Sequence, residues 1–327
     1  MKNILKVVVY LQKVSAMSRI AIIDCGTNTF HLLIVKLQGA DPMVLHQEKR
    51  VVKIGEGGIN NKKITKEAQQ RAIDALQHFK IKIDELRVDK VYAFATSAFR
   101  NASNGLQLKK QILKETNIDL SIIDGGKEAE LIYRGVFSAM EVGTEPVLTI
   151  DIGGGSVEFI IATGTEILWK KSFEIGAQRL MDLFHKHDPI LETEVDALES
   201  YLGDTLGALF EASERFQPNT LIGSSGTFDT LSAIYCQVAG LVITEEQTET
   251  PLTIPAYHRI HEQLITKGRA GRLAIPGMIE MRVDMIVVAS SLVDFLLKRI
   301  SFQHIRVSKY ALKEGALAQI VDGEGLD

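Results

Sequence analysis

The sequence predicts an α/β protein built of two similar domains facing each other across a cleft. Residues 148–161, Leu-Thr-Ile-Asp-Ile-Gly-Gly-Gly-Ser-Val-Glu-Phe-Ile-Ile, set two apolar runs around a glycine turn. That is the pattern of two buried strands joined by a tight hairpin. Residues 20–35 repeat the form near the start of the chain: apolar strand, Asp24, a turn containing Gly26, apolar strand. Asp24 and Asp151 hold matched places in the two copies, so the chain reads as an internal duplication. Its 327 residues, 46% of them hydrophobic, suffice for two separate cores.

The remaining elements follow in order. Residues 1–16 hold only a short apolar run and are expected to lie outside the fold. After the first hairpin, 44–54 reads as strand and 55–58 as a glycine loop. Thr65 is placed to cap a helix whose apolar positions, Ala68, Ala72, Ile73, Leu76 and Phe79, have helical spacing. A short strand at 90–95 leads into 96–104 and a helix, and 118–123 is another strand. Asp124-Gly-Gly turns the chain into a helix over 127–140. Past the second hairpin come a strand at 169–175, a helix to His185, one long helix at 193–216, and a strand from 220 that opens a helix through 238. A polar linker at 245–250, a helix at 257–267, a loop at 269–277, an apolar buried helix at 284–299, a strand at 304–307 and a helix at 310–320 complete it.

Composition excludes several classes of function. The net charge of −4 argues against a general nucleic-acid binder. Two cysteines, Cys25 and Cys236, make neither a disulfide framework nor a zinc site and suit a reducing cytoplasm. No apolar run reaches the length of a spanning helix, so no membrane role is expected. The histidines show no metal-ligand spacing, and His185 and His187 are expected at the surface. The loop arginines Arg269 and Arg272 are either solvated or contacts for a polyanion.

The hairpin residues carry the chemistry. Gly153, Gly154, Gly155 and Ser156 leave backbone N–H groups open to a phosphate oxygen. Taken alone, such a turn is equally a plain hairpin; the second copy, with Gly26, Thr27, Asn28 and Thr29, argues for function. Asp151 and Glu158 bracket the turn and would repel a phosphate unless a cation lay between them. A hard ion such as Mg²⁺, held by carboxylate and phosphate oxygens, completes the set. Arg100 is placed for a bidentate phosphate contact. Glu128 or Glu130, in the first turn of a helix, either answers the helix dipole or activates a water. The helix start at 223–227, including Gly226, offers amides to an anion or a nucleoside edge.

The motifs Asp24-Cys-Gly-Thr-Asn-Thr-Phe-His31, Ala95-Thr-Ser-Ala-Phe-Arg100, Asp124-Gly-Gly-Lys-Glu-Ala-Glu-Leu-Ile-Tyr-Arg-Gly135, Asp151-Ile-Gly-Gly-Gly-Ser-Val-Glu158 and Gly223-Ser-Ser-Gly-Thr227 resemble those of the exopolyphosphatase / guanosine pentaphosphate phosphohydrolase (Ppx/GppA) family. The likeness covers about 19–320, in the short two-domain form. It implies two ribonuclease H-like domains of the actin-like ATPase superfamily, domain I at 17–125 plus 309–327 and domain II at 126–308. It implies hydrolysis of the terminal phosphoanhydride of inorganic polyphosphate with Mg²⁺, or Mn²⁺ in its place, by a cytoplasmic enzyme. The alternatives are a guanosine pentaphosphate 5′-phosphohydrolase, a sensor that binds without turnover and, with less support, a sugar kinase. By position, Glu128 resembles the catalytic base. Asp151, Glu158 and, by its match to Asp151, Asp24 resemble the magnesium and water-positioning carboxylates, and the two turns with Arg100 the phosphate grips. The family usually has two adjacent glutamates where this chain has Lys127-Glu128, which leaves Glu130 as the other candidate base. The resemblance admits a homodimer and implies no specific nucleic-acid partner.

Overall fold

The computed structural model describes residues 18–38, 41–244 and 246–326; the expected extension at 1–16 lies outside them. The chain divides into two compact units. One runs to Asp124 and takes in the segment from Ala316; the other is Gly125–Gly315. The return to the first unit was expected at 309, and the division instead falls inside the last helix.

In the first unit β1 (Ser18–Cys25), β2 (Thr29–Gln38) and β3 (Asp41–Val51) form an antiparallel meander. Helix α1 (Lys66–Glu85) leads to β4 (Lys90–Ala95), then α2 (Ser97–Asn101), α3 (Gly105–Thr116) and β5 (Leu120–Ile122). Among the described residues the sheet order is β3-β2-β1-β4-β5, with β4 and β5 parallel to β1. Thr65 does cap α1, its hydroxyl accepting from the Ala68 N–H at 3.2 Å. Ala68, Ala72, Ile73, Leu76 and Phe79 are all buried against the sheet. The strand expected to reach 54 stops at Val51 because the N–H groups of Val52 and Lys53 both turn to the Asn28 carbonyl, each at 2.9 Å.

The second unit opens with α4 (Gly125–Ala139), so Gly125 and Gly126 start the helix instead of turning the chain. Then follow β6 (Val147–Ile152), β7 (Val157–Ala162), β8 (Ile167–Phe173), α5 (Ala177–Phe184), α6 (Glu192–Thr205), α7 (Gly207–Phe216), β9 (Thr220–Ser224), α8 (Ser225–Ala239), β10 (Glu249–Pro251), α9 (Ile254–Thr266), α10 (Arg269–Leu273), α11 (Met285–Arg299), β11 (His304–Ser308) and α12 (Leu312–Val321). Sheet order is β8-β7-β6-β9-β11-β10. Reading β6 for β1, β7 for β2, β8 for β3, β9 for β4 and β11 for β5 reproduces the first sheet, with β10 added at the edge. The duplication inferred from the two hairpins therefore extends over whole sheets.

Four sequence expectations fail here for identifiable reasons. The single helix at 193–216 breaks at Leu206, whose side chain is sunk in the core, and restarts at Gly207, a poor helix former. The polar linker gains an edge strand, because 249–251 pair with β11; residue 245 lies outside the described set. The loop expected at 269–277 begins with α10, and Arg272 is fully buried at 0% exposure. Its Nε donates to the Val283 carbonyl at 2.9 Å, and its Nη1 to Asp188 Oδ1 and the Lys267 carbonyl at 2.6 Å each. It is a structural cation and not a polyanion contact. His185, expected at the surface, also has its side chain largely covered, and burial together with Arg272 lowers its pKa. Arg272→Ala is expected to cost about 2–3 kcal/mol in urea unfolding, toward the low side for a broken buried pair because Asp188 stays partly in water.

Helix α4 is held by glycines. A Cβ on Gly315 would overlap the Leu131 carbonyl, and one on Gly135 the Ala311 carbonyl. The first turn of α12 and α4 thus pack backbone to backbone, which fixes the helix that carries Glu128.

Candidate active site

The β6–β7 hairpin places the acidic residues. Asp151 and Glu158 face each other across the antiparallel ladder. Both are buried, at 6% and 2% exposure, and Glu128 from the first turn of α4 is at 7%. Glu158 is pushed well above the ordinary carboxylate range by burial and then by the charges of Glu128 and Asp151, against the pull of hydroxyls from Ser172 and Ser156. Ser172 Oγ donates to Glu158 Oε1 at 2.6 Å. Burial also raises Asp151, opposed by hydroxyls from Ser225 and Ser224 and by the charges of Arg282 and Lys313. Removing carboxylates from water and setting them together raises the energy of their charged forms, and a bound cation would relieve it further without protonation.

The glycine turn is oriented by α5. The N–H groups of Gly176, Ala177 and Gln178 donate to the carbonyls of Gly155 (3.2 Å), Gly153 and Gly154 (2.9 Å each). Arg179 Nε adds a bond to the Gly155 carbonyl at 2.7 Å. In a trans peptide the N–H points opposite to the carbonyl. The amides of Gly154, Gly155 and Ser156 are therefore directed away from α5.

The first unit repeats the turn. Gly26 N–H donates to the Thr29 carbonyl at 3.1 Å, as Gly153 N–H donates to the Ser156 carbonyl at 3.1 Å. Thr27, Asn28 and Thr29 are buried in it. Asp24 faces His31 across the ladder, so His31 occupies the place that Glu158 holds in the second copy. The two hairpins share geometry but not an acidic pair. Arg100 lies on α2, with Nη1 donating to the Ile123 carbonyl at 3.0 Å.

Sequence reasoning missed several residues of the second unit. Arg282 lies over the start of α8, where the bare Cα of Gly226 leaves room for its guanidinium; burial lowers its pKa, and its Nε is covered with no hydrogen-bond partner. No periodicity or motif points to it. Ser224 and Ser225 lie in the 223–227 stretch whose amides are expected to bind an anion, and it is their hydroxyls that bind Asp151. Of the two candidate bases, Glu130 is half exposed and ion-paired to Lys170 at 3.2 Å, whereas the charge of Glu128 bears on Glu158.

Residues 33–324 match the model of the Ppx/GppA phosphatase family. The chain belongs to that family, whose members are phosphoanhydride hydrolases. It is 26% identical over 94% of its length to exopolyphosphatase 1 of Mycobacterium leprae, covering 90% of that protein. It is 25% identical over 92% of its length to the guanosine-5′-triphosphate,3′-diphosphate pyrophosphatase of Aliivibrio fischeri, but spans only 59% of that longer chain. Among solved structures, an exopolyphosphatase from Cytophaga hutchinsonii is 48% identical, with a TM-score of 0.91 over 94% of this chain and 99% of that one. The Aquifex aeolicus Ppx/GppA protein shares the fold at 24% identity, with a TM-score of 0.77 over 95% of this chain and all of its own. Among the described residues no helix is long and apolar enough to cross a membrane.

Proposed function

We propose that the protein is an exopolyphosphatase that removes the terminal phosphate of inorganic polyphosphate with the help of Mg²⁺. The observation that carries this reading is the set of three buried carboxylates, Glu128, Asp151 and Glu158, with a glycine turn between the last two whose amides face away from α5. Two of the length-matched proteins named above, those of M. leprae and C. hutchinsonii, are exopolyphosphatases.

The donor set suits magnesium. Among the described residues no three His, Cys, Asp or Glu side chains form a cage. Mg²⁺ needs none, because it binds through one or two carboxylates plus phosphates and water. Asp151 and Glu158 would hold it, and Mn²⁺ fits the same oxygens. When bound, it neutralises charge on the phosphoryl oxygens.

The chain's own residues do the rest. The amides of Gly154, Gly155 and Ser156 grip the terminal phosphoryl group, as the 26–29 turn, Asp24 and Arg100 of the first unit serve phosphate and ion binding in their own unit. Glu128 accepts a proton from the attacking water as its oxygen bonds to phosphorus and the bridging P–O bond breaks. The shortened chain leaves as the anion. Phosphoryl transfer of this kind depends on positioning and electrostatics more than on covalent chemistry.

A guanosine pentaphosphate 5′-phosphohydrolase is the second reading, favoured by the A. fischeri relative and needing the same chemistry. Orthophosphate release should be followed on long-chain polyphosphate and on guanosine pentaphosphate, with and without Mg²⁺. Mg²⁺-dependent release from polyphosphate at the higher kcat/KM is the expected result. Preference for the nucleotide would establish the second reading, and release from neither would overturn both.

A further inference from the structure

The turn between β9 and α8 gives up two local stabilisations, and both losses lead to the same oxygen. Ser225, at the first residue of α8, has φ +65°, in the left-handed region that favours glycine. Asn117 and Gln217, also left-handed, close the C-terminal ends of helices, where that conformation is usual. At the start of a helix it has no capping role. Ser224 is the N-cap of α8, and a serine there ordinarily accepts from a backbone N–H of the first turn. Here it makes no such bond.

Both hydroxyls go to Asp151. Ser225 Oγ donates to Asp151 Oδ2 at 2.6 Å and Ser224 Oγ to the same atom at 2.9 Å. Ser224 is fully buried and also faces Asp151 in the parallel β6–β9 register. Two donors on one carboxylate oxygen fix the plane of the group and direct Oδ1 as the remaining ligand atom.

We infer that Ser225 is a positioning residue whose strained backbone aims its hydroxyl at Asp151, with Ser224 as the second donor, so that the carboxylate is held ready for a divalent cation. This rests on the role given to Asp151 under the proposed function. Glycine at 225 would relieve the backbone but supply no hydroxyl, and a serine is the smallest side chain that provides one.

The two properties separate in a pair of variants of the full chain, Ser225→Gly and Ser225→Ala. Melting temperature, Mn²⁺ binding without substrate by titration calorimetry, and kcat and KM on polyphosphate are measured for each. Ser225→Gly is expected to melt several degrees above Ser225→Ala. Both variants are expected to bind Mn²⁺ about tenfold more weakly and to lose about tenfold or more in kcat with KM little changed, as loss of an outer-shell partner to a metal ligand does. Activity and ion affinity that follow the melting temperatures, with Ser225→Gly at the wild-type level, would overturn the inference. Wild-type protein that binds Mn²⁺ but hydrolyses nothing would sink the proposed function; weaker binding in both variants would then still uphold this inference, and unchanged binding would refute it. Wild-type protein that neither binds the ion nor hydrolyses would refute both.

Discussion

Glutamine at Glu158 is expected to stabilise the metal-free protein while removing its activity. Glu158 is buried beside Glu128 and Asp151, and its native pKa stands well above the usual carboxylate value. A carboxyl raised in this way favours the fold fully only below its unfolded pKa of about 4.3. That contribution is lost as pH rises through the native value. Glu158→Gln removes the like charge and keeps an oxygen to accept from Ser172, so it should gain about 0.5–2 kcal/mol near neutral pH. The gain should vanish in acid, where the wild-type side chain is already neutral. Urea unfolding with a chelator present, at pH 7 and at pH 4, reads both. Excess Mg²⁺ should narrow the difference at pH 7 by stabilising the wild type. Hydrolysis should fall by about 10²–10³-fold or more, the scale of losing one electrostatic partner of a transition state. A variant less stable than wild type at pH 7 without metal would show that the three carboxylates are not in conflict.

That conflict also marks how far the sequence could be read. The hairpins were legible because their requirements are local: an apolar run, a carboxylate and a glycine turn lie within fourteen residues of each other. Their duplication announced a second domain of similar build. What brings Ser172 to Glu158, Arg282 over Gly226, or Ser224 and Ser225 to Asp151 is non-local strand and helix packing, and it leaves no mark in spacing. Arg272 shows the reverse error. In sequence it stands in a polar, glycine-flanked stretch typical of a solvated loop, and only the carbonyls of Lys267 and Val283 with Asp188 make its burial tolerable. His31 shows a limit of the repeat itself, since matched aspartates did not imply a matched partner across the ladder. Helical periodicity persists across Leu206 and predicts one helix over 193–216, although the chain breaks there.

The choice between Glu128 and Glu130 was open in the sequence, and packing separates them. Two residues apart on α4, they point to different surroundings. Glu130 meets Lys170 at 3.2 Å and Lys127 at 3.9 Å in a partly exposed ion cluster, so its charge is already answered. Glu128 is buried and acts electrostatically on Glu158. Glu128→Gln keeps the shape and removes the proton acceptor. It is expected to lower kcat by about 10²–10⁴-fold, the range for loss of a general base, with KM changed by less than about threefold. Glu130→Gln breaks only a surface pair and is expected to leave kcat within about twofold and stability within about 0.5 kcal/mol. The glycine contacts of Gly135 and Gly315 that seat α4 are untouched by either change, so folding should not blur the comparison. Steady-state kinetics on polyphosphate with saturating Mg²⁺ decide it. A large kcat loss in Glu130→Gln with Glu128→Gln near wild type would transfer the base to Glu130. Comparable losses in both would instead mean that Lys170 and Glu130 hold α4 in register for the reaction.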